Sequence, residues 1–67
     1  MAQHLARVDL SGLPRHTSGA HVAYVGKDGD RLFPTDAEEA HRFRSQRAAT
    51  RAAAAVRLKI EAAVRRH

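Results

Sequence analysis

From Asp36 to Arg66 the chain contains neither glycine nor proline, so nothing in its local chemistry interrupts a helix there. Both ends carry the marks a helix requires. Thr35-Asp36-Ala37-Glu38, directly after Pro34, reads as a capping box. In that motif the Thr35 hydroxyl accepts the Glu38 N–H, and the Glu38 carboxylate reaches back to the Thr35 N–H. Asp36, Glu38 and Glu39 sit at the start, and Arg65, Arg66 and His67 at the end, each sign where the helix dipole favours it. The helical part is therefore expected over residues 35–66.

Such a helix would be about 46 Å long at 1.5 Å per residue. A compact chain of 67 residues has a diameter of roughly 28 Å, so the helix must overhang its own domain or break. Ala49, Ala53, Val56, Ile60 and Ala63 repeat at a 4-3-4-3 spacing, a short heptad-like seam. Ala40 and Phe43 point about 100° or more away from it. Two differently aimed faces thus meet near Ser45–Thr50. Either the helix bends there, or one straight helix serves its own sheet at one end and another chain at the other.

The first half of the chain has strand character. Residues 4–10 alternate weakly, with Ala6, Val8 and Leu10 on one side and Arg7 and Asp9 on the other. Residues 11–20 are rich in Ser, Gly and Pro and read as a loop. The strongest local signal is a hairpin, His21–Val25 leading through Gly-Lys-Asp-Gly-Asp into Arg31–Phe33. With Asp28-Gly29 as a type I′ turn centre, Lys27 faces Asp30, Val25 faces Leu32, and Tyr24 faces Phe33. Tyr24 and Phe33 would then form an aromatic cross-strand pair, and Pro34 would stop the strand. The fold expected is α+β, a small antiparallel hairpin or three-stranded sheet followed by one long basic C-terminal helix, straight or bent. It is expected to form one small domain over residues 1–67, β-rich over 3–34.

Core material is scarce. Fourteen residues are alanine, and only fifteen larger apolar side chains remain. With no cysteine to staple the fold, a deep catalytic cleft is excluded and support from a partner is expected. For this reason the alanine-rich seam is read as a helix–helix interface, through Ala49, Ala53, Val56, Ile60 and Ala63, in a homodimer or with another chain.

Charge is divided unevenly. Residues 1–40 hold four Lys/Arg against six acids, a net −2, whereas residues 41–67 hold eight against one, a net +7. On a helical wheel Arg44, Arg47, Arg51 and Arg65 cluster within about 60°, with Leu58 among them and Arg42 and Arg57 nearer the seam. Such a ridge suits phosphates along a nucleic-acid backbone or carboxylates on a protein. The plain alternative is a solvated helix face enriched in arginine by genome composition, since Ala and Arg make up more than a third of the chain.

Constellations for chemistry are missing. The five histidines show neither the i, i+4 spacing nor the carboxylate neighbours of a metal site. Asp28-Gly29-Asp30 lacks the remaining ligands of a calcium loop. Ser11, Thr17, Ser18 and Ser45 have no adjacent base with an orienting acid, and the glycines form no phosphate cradle. No enzyme, metal or cofactor is expected. No apolar run reaches membrane-span length, and the N-terminus is too polar for a signal-peptide core; a cytoplasmic location is the default.

The function expected is therefore that of a small binding protein that docks on and blocks or modulates a larger partner with an acidic surface, protein or nucleoprotein. Arg42, Arg44, Arg47, Arg51 and Arg57 would meet the acidic groups, with Tyr24 and Phe33 as aromatic anchors. Chains this small are often encoded by phages and mobile elements as inhibitors of a host machine, a CRISPR effector for example. The competing expectation is a sequence-nonspecific nucleic-acid-binding homodimer that uses the same arginines on phosphates. The chain has no Asn or Trp and only two Gln, so base readout is not expected.

Overall fold

The alternation over residues 4–10 becomes two short strands, β1 (His4–Leu5) and β2 (Arg7–Asp9). They belong to a computed structural model that describes residues 3–13 and 21–66. Ala6, Val8 and Leu10 are buried while Arg7 and Asp9 are exposed, as period-two patterning requires. Residues 11–13 form a turn. The rest of the expected loop, including Pro14 and His16, lies outside the described residues, as do Met1 and His67.

The hairpin is present as β3 (Val22–Asp28) and β4 (Arg31–Thr35), and β2-β3-β4 form an antiparallel sheet in that order. Its register differs from expectation by two residues. Asp28 faces Arg31, Lys27 faces Leu32, Gly26 faces Phe33 and Tyr24 faces Thr35, so the turn centre is Gly29-Asp30 and not Asp28-Gly29. The reason lies in backbone sterics. A type I′ centre at Asp28-Gly29 needs positive φ at an aspartate, whereas the type II′ pattern needs it only at its first residue. Gly29 has φ +64°, and no described residue other than glycine has positive φ. The shift also seats the Phe33 ring over Gly26, in the space a Cβ on that glycine would fill. Because a two-residue slip preserves faces, Tyr24 and Phe33 still share one face, but as diagonal neighbours and not as a pair.

Pro34 does not stop β4, which continues to Thr35. It faces Val25, whose own N–H and C=O are directed to the other side of β3, toward Ala6 O (3.1 Å) and from His41 N (2.9 Å). Pro34 therefore occupies a position where the ladder asks for no N–H. On this edge strand it removes an outward donor that another chain could pair with.

The largest correction concerns the helix. Residues 36–45 are not helical, and α1 spans Gln46–Arg65 without a break. Thr35 is committed to β4, and the capping box does not form. Instead Asp36 Oδ1 accepts the Glu39 N–H (3.1 Å) and a turn closes from Ala40 N to Ala37 O (3.4 Å). The chain then lays β5 (Arg42–Phe43) antiparallel to β1, with His4 facing Phe43 and Leu5 facing Arg42. Ser45 caps the helix, its Oγ accepting the Ala48 N–H at 3.1 Å.

Phe43 decides between these alternatives. In a helix running from residue 36 it would project about 120–180° away from Ala49, Ala52 and Val56, at 100° per residue, and could not share their core. As a strand residue it is buried, 9% exposed, beside those three. Burying a phenylalanine is worth about 1.5–3 kcal/mol, more than the roughly 1 kcal/mol of a cap.

The core is Ala6, Val8, Leu10, Val25, Phe43, Ala49, Ala52 and Val56, with Leu13, Ala23, Leu32, Ala48, Ala53 and Ile60 packed around it. One face of the sheet meets α1. The opposite face carries Arg7, Val22, Tyr24, Phe33 and Thr35, following the strand alternation. The molecule is α+β, a small antiparallel sheet of strands followed by one C-terminal helix. Among the described residues no helix is long and apolar enough to cross a membrane.

The turn assignment is open to test by urea denaturation. Gly29→Ala should cost about 1–2 kcal/mol, the usual penalty for a left-handed non-glycine residue. Asp28→Val should change stability by less than about 0.5 kcal/mol or raise it, because residue 28 is an extended strand position. A loss of several kcal/mol from Asp28→Val would restore the turn to Asp28-Gly29.

Candidate functional site

The helix start, the hairpin tip and β5 converge on an open groove of about 620 Å³. Each element contributes according to its local geometry. Lys27 and Leu32 are cross-strand partners on the helix-facing side of the hairpin, Leu32 turning inward and Lys27 outward at the mouth. Phe43 arrives from β5. Arg47, Ala48, Arg51, Ala52 and Ala55 come from one flank of α1. The result is an apolar floor (Leu32, Phe43, Ala48, Ala52, Ala55) under three exposed cations, Lys27, Arg47 and Arg51, with Asp30 and Ser45 at the margin.

The electrostatics of this corner are mainly positive, three cations against the single carboxylate of Asp30. Arg47 and Arg51 stand one helical turn apart, a like-charge spacing that costs a helix a few tenths of a kcal/mol. They also lie in the first two turns of α1, where the macrodipole is positive, and the first turn holds no acid. Among the described residues one ion pair closes within 4.0 Å, Arg57–Glu61, so neither Arg47 nor Arg51 is held in a salt bridge. An anion in the groove would relieve the repulsion of all three cations together.

The expected arginine ridge is divided by the structure. Arg47 and Arg51 line the groove. Arg44 precedes the helix, so the wheel that grouped it with them does not apply; it is exposed and outside the groove lining. Arg42 is exposed on β5 beside the buried Phe43, and adjacent strand residues point to opposite faces. Arg57 is engaged elsewhere. Its Nη1 donates to Asp9 O at 2.6 Å, and Nη2 lies 3.5 Å from Glu61 Oε2, which clasps α1 to the end of β2. Arg65 remains on the outward line of the helix with Arg47 and Arg51, and Leu58 on that line is 68% exposed.

The aromatic pair does not join the arginines. Tyr24 is half-buried and Phe33 39% exposed, both on the sheet face away from α1. The seam is likewise reassigned. Ala49 and Val56 are fully buried in the chain's own core, and Ala53 and Ile60 pack against it. Only Ala63 is exposed. A helix–helix contact through the other four would require dismantling the fold, because they already pack in the chain's own core. Lys27, Leu32 and Phe43 as groove residues were not legible from sequence, since only the tertiary arrangement brings the hairpin to the helix start.

At the end of β2, Asp9 Oδ1 accepts the Ser11 hydroxyl (2.7 Å) and the Ser11 N–H (2.9 Å). These bonds hold the Asp9 carboxyl below its ordinary range, with smaller help from Arg57 and Arg7. A carboxyl depressed by folding contributes stability above its unfolded pKa and loses that contribution as pH falls through its folded value.

Comparison with family models, with curated proteins and with solved structures returned no match.

Two outcomes follow. Arg57→Gln should destabilise the fold by about 1–2 kcal/mol, because it removes a charge-assisted bond to Asp9 O. Arg47→Gln and Arg51→Gln should each stay within about 0.5 kcal/mol, as expected for exposed side chains; chemical denaturation of the three variants reads the contrast. In a carboxyl NMR titration Asp9 should have a low midpoint that rises toward the ordinary aspartate value in Ser11→Ala. An unmoved midpoint would mean that the hydroxyl does not set it and that the Ser11 N–H, with the neighbouring arginines, does.

Proposed function

We propose that this chain is a non-enzymatic binding protein that docks on a larger partner and blocks or modulates it. The partner would offer an acidic protein segment that carries at least one apolar side chain. The observation that carries this reading is the convergence of Lys27, Arg47 and Arg51 around an apolar floor. An arrangement of like charges that costs local stability is accounted for when an anionic ligand supplies the missing partners. Carboxylates would receive charge-assisted bonds from the two guanidinium groups, while an apolar side chain lies against Leu32 and Phe43. A cytoplasmic site of action belongs to the same proposal. So does a place among the small inhibitors that phages and mobile elements encode, because steric and electrostatic blockade needs no catalytic group.

Nucleic acid is the competing ligand class. Its support is the row of Arg47, Arg51 and Arg65 on the exposed side of α1, which could follow phosphates. The apolar floor favours protein, because a phosphate backbone makes no use of it.

The two ligand classes separate in one experiment. Selection from a random peptide library should enrich peptides that combine Asp or Glu with Leu, Ile or Phe. Affinity for the enriched peptides should fall about tenfold, roughly 1.4 kcal/mol, in Arg47→Gln/Arg51→Gln. Fluorescence anisotropy with duplex DNA, single-stranded DNA and RNA at low and moderate salt provides the other arm. Submicromolar nucleic-acid binding that drops steeply with salt and vanishes in the same variant would replace this proposal with the nucleic-acid reading.

A further inference from the structure

The acids that the sequence places in a helical first turn are, in the folded chain, on an exposed turn at the far end of β4 from the groove. Asp36, Glu38 and Glu39 are all exposed. The turn is preformed, with Asp36 Oδ1 accepting the Glu39 N–H and Ala40 N donating to Ala37 O. Its backbone is thus already ordered, which lowers the entropy lost on docking. Among the described residues neither glutamate has a cation within 4.0 Å. The same molecule therefore carries a knob of three carboxylates and small alanines, together with a groove of three cations above an apolar floor, and closes no salt bridge within or between them among the described residues.

We propose that a second copy of this chain occupies the groove through its Asp36–Glu39 turn. The inference rests on the groove reading above and names one occupant for it. Lys27, Arg47 and Arg51 meet Asp36, Glu38 and Glu39, with Asp30 at the groove margin the one opposing carboxylate, while Ala37 is small enough to approach the alanine-lined wall of α1. Contacts of this kind, turn to groove, close into a two-fold pair when reciprocal. The net charge of +5 on each copy opposes approach at long range. At about 0.1 M salt, however, the screening length is about 10 Å, so the net repulsion is damped while contacts at 3–4 Å persist. Exposed pairs are individually weak, so the dissociation constant falls at roughly 0.1–1 mM, and association disappears near 1 M salt. Self-association then competes with any acidic partner for the same three cations, so the free groove is most available when the chain is dilute.

The test is sedimentation equilibrium from about 10 μM to about 1 mM protein, at about 0.1 M and about 1 M salt. Wild type should associate at the lower salt only. Arg47→Glu/Arg51→Glu alone and Glu38→Lys/Glu39→Lys alone should each be monomeric, and an equimolar mixture of the two variants should recover association, because the swap restores every charge pair. A wild type that stays monomeric throughout overturns the proposal, as does an association that survives both single variants or fails to return in the mixture. Glu38→Lys/Glu39→Lys retains the groove, so its binding to an acidic peptide tests that reading separately. Binding without self-association would sink this inference and leave the groove intact; neither peptide binding nor self-association would sink both.

Discussion

The backbone of Val25 holds the molecule together. The residue is fully buried. Its N–H donates to Ala6 O, its C=O accepts from His41 N, and its other neighbour is Pro34. One residue of β3 thus touches the N-terminal strands, the edge strand and the segment leading into β5. Each buried polar group there must find a partner, since an unpaired one costs about 1–3 kcal/mol. The chain beyond Pro34 therefore has to return to Val25 before it does anything else. A helix beginning at Asp36 would carry His41 away and leave Val25 O without a donor in a buried position. The ten residues between β4 and α1 are shaped by this requirement.

That constraint explains which parts of the fold were legible in the sequence. Alternation at Ala6, Val8 and Leu10, the existence of a hairpin, and a helix through the alanine-rich segment all follow from local periodicity, and all are present. The change of face near Ser45 was also visible, because Phe43 and the Ala49–Val56 side chains cannot share one helical stripe. What periodicity could not supply was the identity of the segment before the break. Thr35-Asp36-Ala37-Glu38 is a sound cap by local chemistry, and it loses to two non-local terms, the burial of Phe43 and the pairing of Val25 with His41. The hairpin register has a similar origin. Asp-Gly and Gly-Asp centres differ by a backbone preference at one aspartate and by the seating of one aromatic ring over Gly26.

The candidate site was legible in part, for the same reason. Arg47 and Arg51 share a helical flank by spacing alone, and the structure keeps them together. Arg44 and Arg57 looked equivalent on a continuous wheel, yet one precedes the helix and the other reaches Asp9 O. The third cation of the groove, Lys27, is twenty residues from Arg47 in sequence and joins it only through the packing of the hairpin on α1. The seam at Ala49, Val56 and their neighbours showed the opposite error. Small residues at helical spacing fit a partner helix and a sheet equally well, and in a chain with so few large apolar residues the sheet claims them first.

Starting the helix at Ser45 also rearranges the charge. In a helix over 35–66, Asp36, Glu38 and Glu39 would have balanced the positive end of the dipole. With α1 beginning at Gln46, that end is left with Arg47 and Arg51 and no acid in its first turn, while the acids stand on a separate turn. The packing requirement of one valine and one phenylalanine thereby converts a helix with matched ends into a molecule with separated positive and negative surfaces. Charges separated in this way could be paired by an anionic partner, as proposed, or by another copy. Both act on the same groove, so the groove's chemistry and the core's packing are consequences of a single choice of where the helix starts.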